Sequence, residues 1–297
     1  MSGVNLTGNI SLIRRLPALF VSAAALAWAA GTDVTQARKL YNLTDYERSL
    51  AILLDISEKN AEVYELIGRN YYMRSDYKKA AEAFERAFAA APTDSGIALW
   101  LGRAYGRRAE TSSPFTAPGL ASKARQSFEK AVTLDPHNVE AFNDLFEYYL
   151  EAPGFLGGGF DKAVDVAAKI KALDPVEGHW AQAKLAEKRK EFGSAEEQLR
   201  RAVELAPHQV GRVLDLAHFL SRQGRYQESD QNFQRAEKIA PNSPRVMYAE
   251  AEAYVQSKRN LDTARQLLKK YLAATNLTPD DPPRSQAEKL LRQAEGS

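Results

Sequence analysis

The chain has no cysteine among its 297 residues. That excludes a disulfide framework, thiolate metal sites and a lipid-modified N-terminal cysteine, while leaving an oxidising compartment open. It also lacks an excess of positive charge, with 40 basic residues against 38 acidic ones. Binding along a phosphate backbone needs uncompensated Lys and Arg, so no nucleic-acid partner is expected. Histidine is scarce, four in all. His137 and His208 directly follow prolines, His179 lies four residues after Pro175, and His218 stands alone on a helical stretch. No His-Glu-x-x-His, no Gly-x-Ser-x-Gly and no metal-spaced cluster occurs, so the usual hydrolase and metalloenzyme signatures are missing. Acid pairs such as Glu196-Glu197 and Asp280-Asp281 are sequence neighbours that splay apart. The stretch Gly154 to Lys162 is glycine-rich but lacks Gly-Lys-Ser/Thr and puts Asp161 at the start of a helix, which argues against a phosphate cradle. The chain reads as no enzyme, with no catalytic, cofactor-binding or metal-binding residue assigned.

Long apolar runs are missing too, with one short exception. Arg14 and Arg15 precede an uncharged stretch, Leu16 to Ala30, that ends in the small-x-small arrangement Ala27-Trp28-Ala29. Fifteen residues of helix span ~22 Å, short of a ~30 Å hydrocarbon core. The segment reads as a signal peptide over 1–29 cut before Ala30, which makes the protein exported and periplasmic. The alternative is retention as an inner-membrane anchor through residues 16–30, the one membrane contact expected. Removing Arg14 and Arg15 leaves the remainder neutral.

What the chain does have is a repeat. Small residues recur at Ala80, Ala124, Ala163, Ala195, Ser229 and Ala264, spaced 44, 39, 32, 34 and 35 apart. Four positions later come Phe84, Phe128, Ala167, Leu199, Phe233 and Leu268, and seven positions later Ala87, Ala131, Ile170, Ala202 and Ala236. Pro92, Pro136, Pro175, Pro207 and Pro241 close five units, each twelve residues after its small residue. The i, i+4, i+7 spacing is one face of an α-helix, and the proline ends it. Tyr64, Ile67, Gly68 and Tyr71 mark a second helix in the first half of a unit. Gly or Ala at the crossing admits a close approach, where a larger side chain would overpack by ~1–3 kcal/mol.

This pattern resembles the tetratricopeptide repeat, a helix-turn-helix unit with Leu-Gly-x-x-Tyr, a later Ala-x-x-x-Phe and a closing Pro. The units near Ala61 and Val210 fit best, the latter with Leu216, Leu220, Gly224, Tyr226, Phe233 and Pro241. The unit with Trp180 and Phe192 is shorter, and its first helix lacks the Gly and the Tyr. The resemblance implies an all-α, right-handed α-solenoid of about seven hairpins over 30–295. These are a short leading pair at 32–58, repeats near 61–94, 95–138, 139–177, 178–209, 210–243 and 244–278, and a capping helix at 283–295. Such a stack has an extended grooved surface in place of a single cleft. Thr44 with Glu47 reads as a capping box at the first turn.

The resemblance also supplies a partner class, a protein or peptide, and a location for it. Family positions lining the concave side fall on Glu62, Glu65, Arg69 and Tyr72, then Leu99 and Arg103, Glu140, Asn143 and Glu147, Leu214 and His218, and Arg245, Tyr248 and Glu252. Of these, Arg69, Tyr72, Arg103, Asn143, His218 and Tyr248 are the partner-binding candidates. The family's Lys- and Asn-based clamp for a C-terminal carboxylate is not expected, since Glu65 and Glu147 put acids there.

Two units exceed the family period. Gly102 to Ala124 spans 22 residues against 12 from Gly68 to Ala80, and a second excess falls between Glu151 and Phe160. Neighbouring loops of a stack share an edge, so 107–122 and 151–160 are expected to form a raised lip carrying Phe115, Phe155, Leu156 and Phe160. The phenylalanines either contact a partner or tuck onto their own helices, with Asp161 capping the next helix. The expected function is a noncatalytic scaffold in the cell envelope that binds a partner segment in its groove. The alternatives are a structural assembly subunit docking through the lip, or an accessory to a polymer-handling envelope enzyme. Oligomeric state is left open.

Overall fold

The computed structural model describes residues 23–296, and among them every regular element is helical. α1 (Ala23–Asn42) pairs with α2 (Tyr46–Asp55), α3 (Ala61–Met73) with α4 (Tyr77–Ala90), and α5 (Ser95–Glu110) with α6 (Ala117–Leu134). α7 (Val139–Glu151) pairs with α8 (Phe160–Leu173), and α9 (Pro175–Lys188) with α10 (Phe192–Leu205). α11 (Val210–Arg222) pairs with α12 (Tyr226–Ile239), α13 (Pro244–Gln256) with α14 (Leu261–Ala273), and α15 (Arg284–Glu295) comes last. Each helix packs on the next in sequence, and first helices also touch the first helices of neighbouring pairs. Second helices make no comparable contact with each other. The first-helix layer is therefore the short, inner layer of a curved stack, an α-solenoid of seven hairpins with a closing helix.

The repeat register is a packing register. Ala80, Phe84 and Ala87 are fully buried, as are Ala124, Ala131, Ala163, Ala167 and Ile170 at equivalent positions. At Gly68 an added Cβ would lie 2.7 Å from the Phe84 ring, and at Gly102 2.5 Å from that of Phe128. The aromatic occupies the space the glycine leaves. In the atypical fifth pair Ala183 replaces that glycine and is fully buried. The closest approach moves to Gly178, where a Cβ would meet Lys171 Cα at 2.5 Å. α15 buries Ala287, Leu290 and Ala294 against the last pair.

Caps differ from the sequence reading at two places. Asp45, not Thr44, caps α2, its carboxylate accepting from Arg48 N, while Thr44 takes a left-handed φ of 59° in the turn. One residue of register decides this, because the cap oxygen must reach the third amide of the helix. Likewise α8 starts after Gly159, so Asp161 sits within its first turn, where a carboxylate suits the helix dipole without capping.

α1 is already helical at Ala23, upstream of the expected start at Thr32. Residues 23–29 of the leader reading fall in this helix, and 1–22 lie outside the described residues. Among the described residues no helix is long and apolar enough to cross a membrane.

The first insert is mostly helix. α5 continues through Arg107, Arg108, Ala109 and Glu110, all good helix formers, and α6 restarts at Ala117 with Pro118 in its first turn. That leaves a loop of only 111–116. The second insert folds into a 3-10 turn at Gly154–Leu156 that packs on α6. There Gly158 passes so close to Ala152 that a Cβ would stand 1.8 Å from its carbonyl oxygen.

Candidate functional site: the inner wall

The inner wall is built from α3, α5, α7, α9, α11 and α13, and most of its charges are bound to each other. Arg69 bonds Glu65 one turn back through Nε at 2.9 Å and Nη2 at 2.6 Å. Arg103 on α5 reaches across to α7, with Nε on Asp144 Oδ2 at 2.5 Å, Nη2 on Asp144 Oδ1 at 3.2 Å, and Glu140 at 2.8 Å. Asn143 donates to Glu177 on α9 at 3.1 Å, and Arg212 on α11 approaches the same carboxylate at 3.3 Å. Glu151 with Lys188 and Glu187 with Arg222 add further rungs between successive first helices.

Burial alone would lower the Arg103 guanidinium, but the bond and charge of Asp144 outweigh it and hold it above the ordinary arginine value. The two-toothed geometry is the strong form of such a pair. Trp100 anchors this part of the wall. The Arg69 and Arg103 guanidinium groups lie 4.7 Å and 5.1 Å from its ring centre, and Tyr72 meets it edge-on at 5.3 Å. Burial pushes the Tyr72 hydroxyl up to about 12.

Four wall charges have no ion pair among the described residues: Glu147 on α7, Lys184 on α9, Arg245 and Glu252 on α13. Desolvation raises the Glu147 carboxyl, reinforced by Asp144 and opposed by Lys184. Desolvation alone raises Glu252. Glu147 is open to water along one side yet desolvated by protein around it, as a side chain in a concave wall should be. Next to it is a cavity of about 560 Å³, floored by Phe128, Tyr148, Ala109 and Ala121 and rimmed by Tyr72 and Arg103. The insert makes this cavity, since the extra turn of α5 supplies one of its sides.

Arg69, Tyr72 and Arg103 thus gather around Trp100, while Asn143 is engaged with Glu177. Further along the wall, burial and the nearby charges of Arg222 and Lys184 lower the His218 imidazole to about 4. It is neutral at pH 7, edge-on to Phe233 at 5.6 Å. Tyr248 packs on Tyr271 at 5.5 Å, its hydroxyl raised by burial to about 12. Leu99 and Leu214 do not line the groove. They are 2% and 4% exposed and belong to the core, turned in by contact with neighbouring helices. On the turn edge, Phe115 is 96% and Phe155 83% exposed. Phe160 is instead half-buried against the apolar core, with the Arg189 guanidinium 4.6 Å from its ring centre.

Sequence reasoning missed Trp100, Glu177, Lys184, Arg212 and Asp215. Glu177 and Lys184 lie on α9, where the unusual fifth unit hides the family phase, whereas Arg212 and Asp215, paired at 3.1 Å, flank the family position Leu214 on α11. Among the described residues no group of three or more His, Asp or Glu is gathered to hold a metal ion.

Comparison with known proteins agrees with this geometry. Residues 61–94 and 214–282 each match tetratricopeptide-repeat families. A thermophilic tetratricopeptide-repeat protein of Thermus thermophilus superposes with a TM-score of 0.51 at 21% identity, covering 67% of this chain and 98% of that one. A tetratricopeptide-repeat protein of Parabacteroides merdae superposes with a TM-score of 0.57 at 12% identity, covering 90% of this chain and 99% of that one. A search of curated proteins gave no match. At these identities the likeness speaks for the fold, and repeats of this kind generally mediate protein–protein contacts. On its paired helices, its Gly-to-aromatic register and the two matched segments together, residues 61–94 and 214–282 are tetratricopeptide repeats, and the fold of the chain is that of tetratricopeptide-repeat structures.

Proposed function

We propose that the chain is a noncatalytic adaptor that holds an extended segment of a partner protein along its inner wall, with a lysine or arginine of that segment seated beside Glu147. The observation that carries this reading is the 560 Å³ cavity. Its floor is apolar enough for an alkyl stem, and its rim holds an acid that the wall leaves unpaired. A long basic side chain matches both, burying methylenes at ~0.8 kcal/mol each and giving Glu147 a counter-charge.

Selection of random displayed peptides on the folded protein tests it. Binders should be enriched in a Lys or Arg flanked by apolar residues, and Glu147→Gln should weaken them ~10-fold, about 1.4 kcal/mol. Binders indifferent to Glu147→Gln would refute the seat. Export is proposed with it, on the strength of Arg14, Arg15 and the uncharged stretch to Ala30. N-terminal sequencing of protein recovered from cells should begin at Ala30, and a full-length cytosolic species would overturn that placement.

A second reading is favoured by Phe115 and Phe155, whose rings are almost wholly in water. Here the turn edge docks a subunit of an assembly, and the two rings are its anchors.

A further inference from the structure

One cavity, of about 270 Å³, is lined from both ends of the stack. Thr44 and Tyr46 come from the turn between α1 and α2, and Arg74 from the turn between α3 and α4. Leu277, Asp281 and Arg284 come from the segment leading from α14 into α15. More than two hundred residues separate the two sides in sequence. The electrostatics agree: Asp281 and Arg284 both act on the Tyr46 hydroxyl, and Asp280 acts on Tyr41.

The topology says how the two ends come to line one cavity. Turns within pairs lie on one edge of the stack, and joins between pairs on the other. Thr44 and Arg74 belong to within-pair turns, whereas 274–283 is a join after a second helix. Opposite edges can meet only if the stack has wound about once around and risen by roughly the height of a helix. For the 13 residues of α3 that is about 20 Å.

We infer that the first and last units clasp each other, so that the solenoid is a one-turn spiral closed at its overlap and its inner wall faces an enclosed lumen. The clasp stands on this geometry alone. Its consequence for a partner rests on the groove reading: a segment reaches Glu147 by threading, or after the clasp parts.

The cysteine-free chain suits a cross-linking test. The full-length double variant Arg74→Cys with Ser285→Cys places thiols at two exposed residues that line the same cavity. A short bis-maleimide should give an intramolecular product, a compact monomer on a denaturing gel, at least ~10-fold over dimer at micromolar protein. Lys130→Cys with Ser285→Cys, with one thiol on the outer helix α6, should give none. Thr44→Cys with Arg284→Cys is a second clasp pair, should the first disturb folding by circular dichroism. Absence of intramolecular product in both clasp pairs overturns the clasp. Dimers without cyclised monomer also overturn it, and assign the contact to two copies of the chain. Neither failure touches the peptide seat, because an open spiral keeps Glu147 and its cavity, and loss of peptide binding in Glu147→Gln leaves the cross-link unchanged.

Discussion

Gly102 and Gly106 sit one helical turn apart on α5, and alanine should stabilise at the second but not at the first. In a helix interior alanine gains ~1 kcal/mol over glycine from backbone entropy alone. At Gly106 nothing lies within 4 Å of the new Cβ. The full gain of about 1 kcal/mol should therefore appear. At Gly102 the Cβ would stand 2.5 Å and 2.6 Å from two ring carbons of Phe128. That ring is 7% exposed and packs on Tyr148 at a centroid distance of 6.4 Å, so it has little room to withdraw. Overpacking of this kind costs ~1–3 kcal/mol. After the propensity gain, Gly102→Ala should be neutral to about 2 kcal/mol less stable, and the two variants should differ by ~1–3 kcal/mol. Because each unit of a stack contributes partly on its own, urea melts should be read beside hydrogen exchange of the α5 and α6 amides, which reports local opening. Adding Phe128→Leu to Gly102→Ala should cost less than the same change in the parent chain, a coupling expected between touching groups. If Gly102→Ala proves as stable as Gly106→Ala, the Gly-to-aromatic packing argument fails.

Two more outcomes follow from the inner wall and the turn edge. His218 has its folded pKa depressed to about 4 from an ordinary 6.5, so between those values the unfolded chain binds more protons than the folded one. Its contribution is intact above pH 6.5 and lost as pH falls toward 4, by on the order of 3 kcal/mol; His218→Phe should flatten that part of the stability profile, and an unchanged slope would refute it. Phe115→Ser with Phe155→Ser should leave the melting midpoint unchanged, because both rings are in water. Under the docking reading, size-exclusion of the complex from cells should lose the partner, whereas displayed-peptide binding at Glu147 should persist.

The hairpins were legible because helix crossing imposes residue size at a fixed phase. Gly68 with Phe84 and Gly102 with Phe128 are pairs whose spacing can be read directly, and the structure puts each pair in contact. The insert at 107–122 was legible as an excess of length but not as added helix. Counting residues against a period says where material is extra, while the good helix formers Arg107 to Glu110 decide what it becomes. Leu99 and Leu214 show the limit of a positional rule, since a residue on the inner layer is drawn into the core wherever neighbouring first helices close over it. Arg103 with Asp144 joins residues 41 apart on different units. No local pattern encodes that reach. The meeting of Tyr46 with Arg284 is more remote still, because it sums small rotations over seven joints.

The distribution of pairing along the wall limits where selectivity can arise. A ligand that engaged Arg69 or Arg103 would first have to displace Glu65 or Asp144, and charged hydrogen bonds of that kind contribute ~1.5–3 kcal/mol each. Reversing Arg103 would, in addition, leave Asp144 and Glu140 without their cation, so lost binding in that variant could not be separated from a loosened α5–α7 contact. Glu147 is free of that cost: its carboxyl is desolvated but unpaired, and a cation brought to it displaces no protein partner. Lys184 and Arg245, further along, offer the same opening to an anion. A partner segment that presents a basic residue toward Glu147 on α7 and an acidic one toward Lys184 on α9 or Arg245 on α13, clear of Glu252, would therefore meet opposite charge at both places, and the reversed segment would meet like charge at both. Two peptides of identical composition and opposite charge order should separate on this wall, and equal affinity for both would show that these side chains do not read the partner.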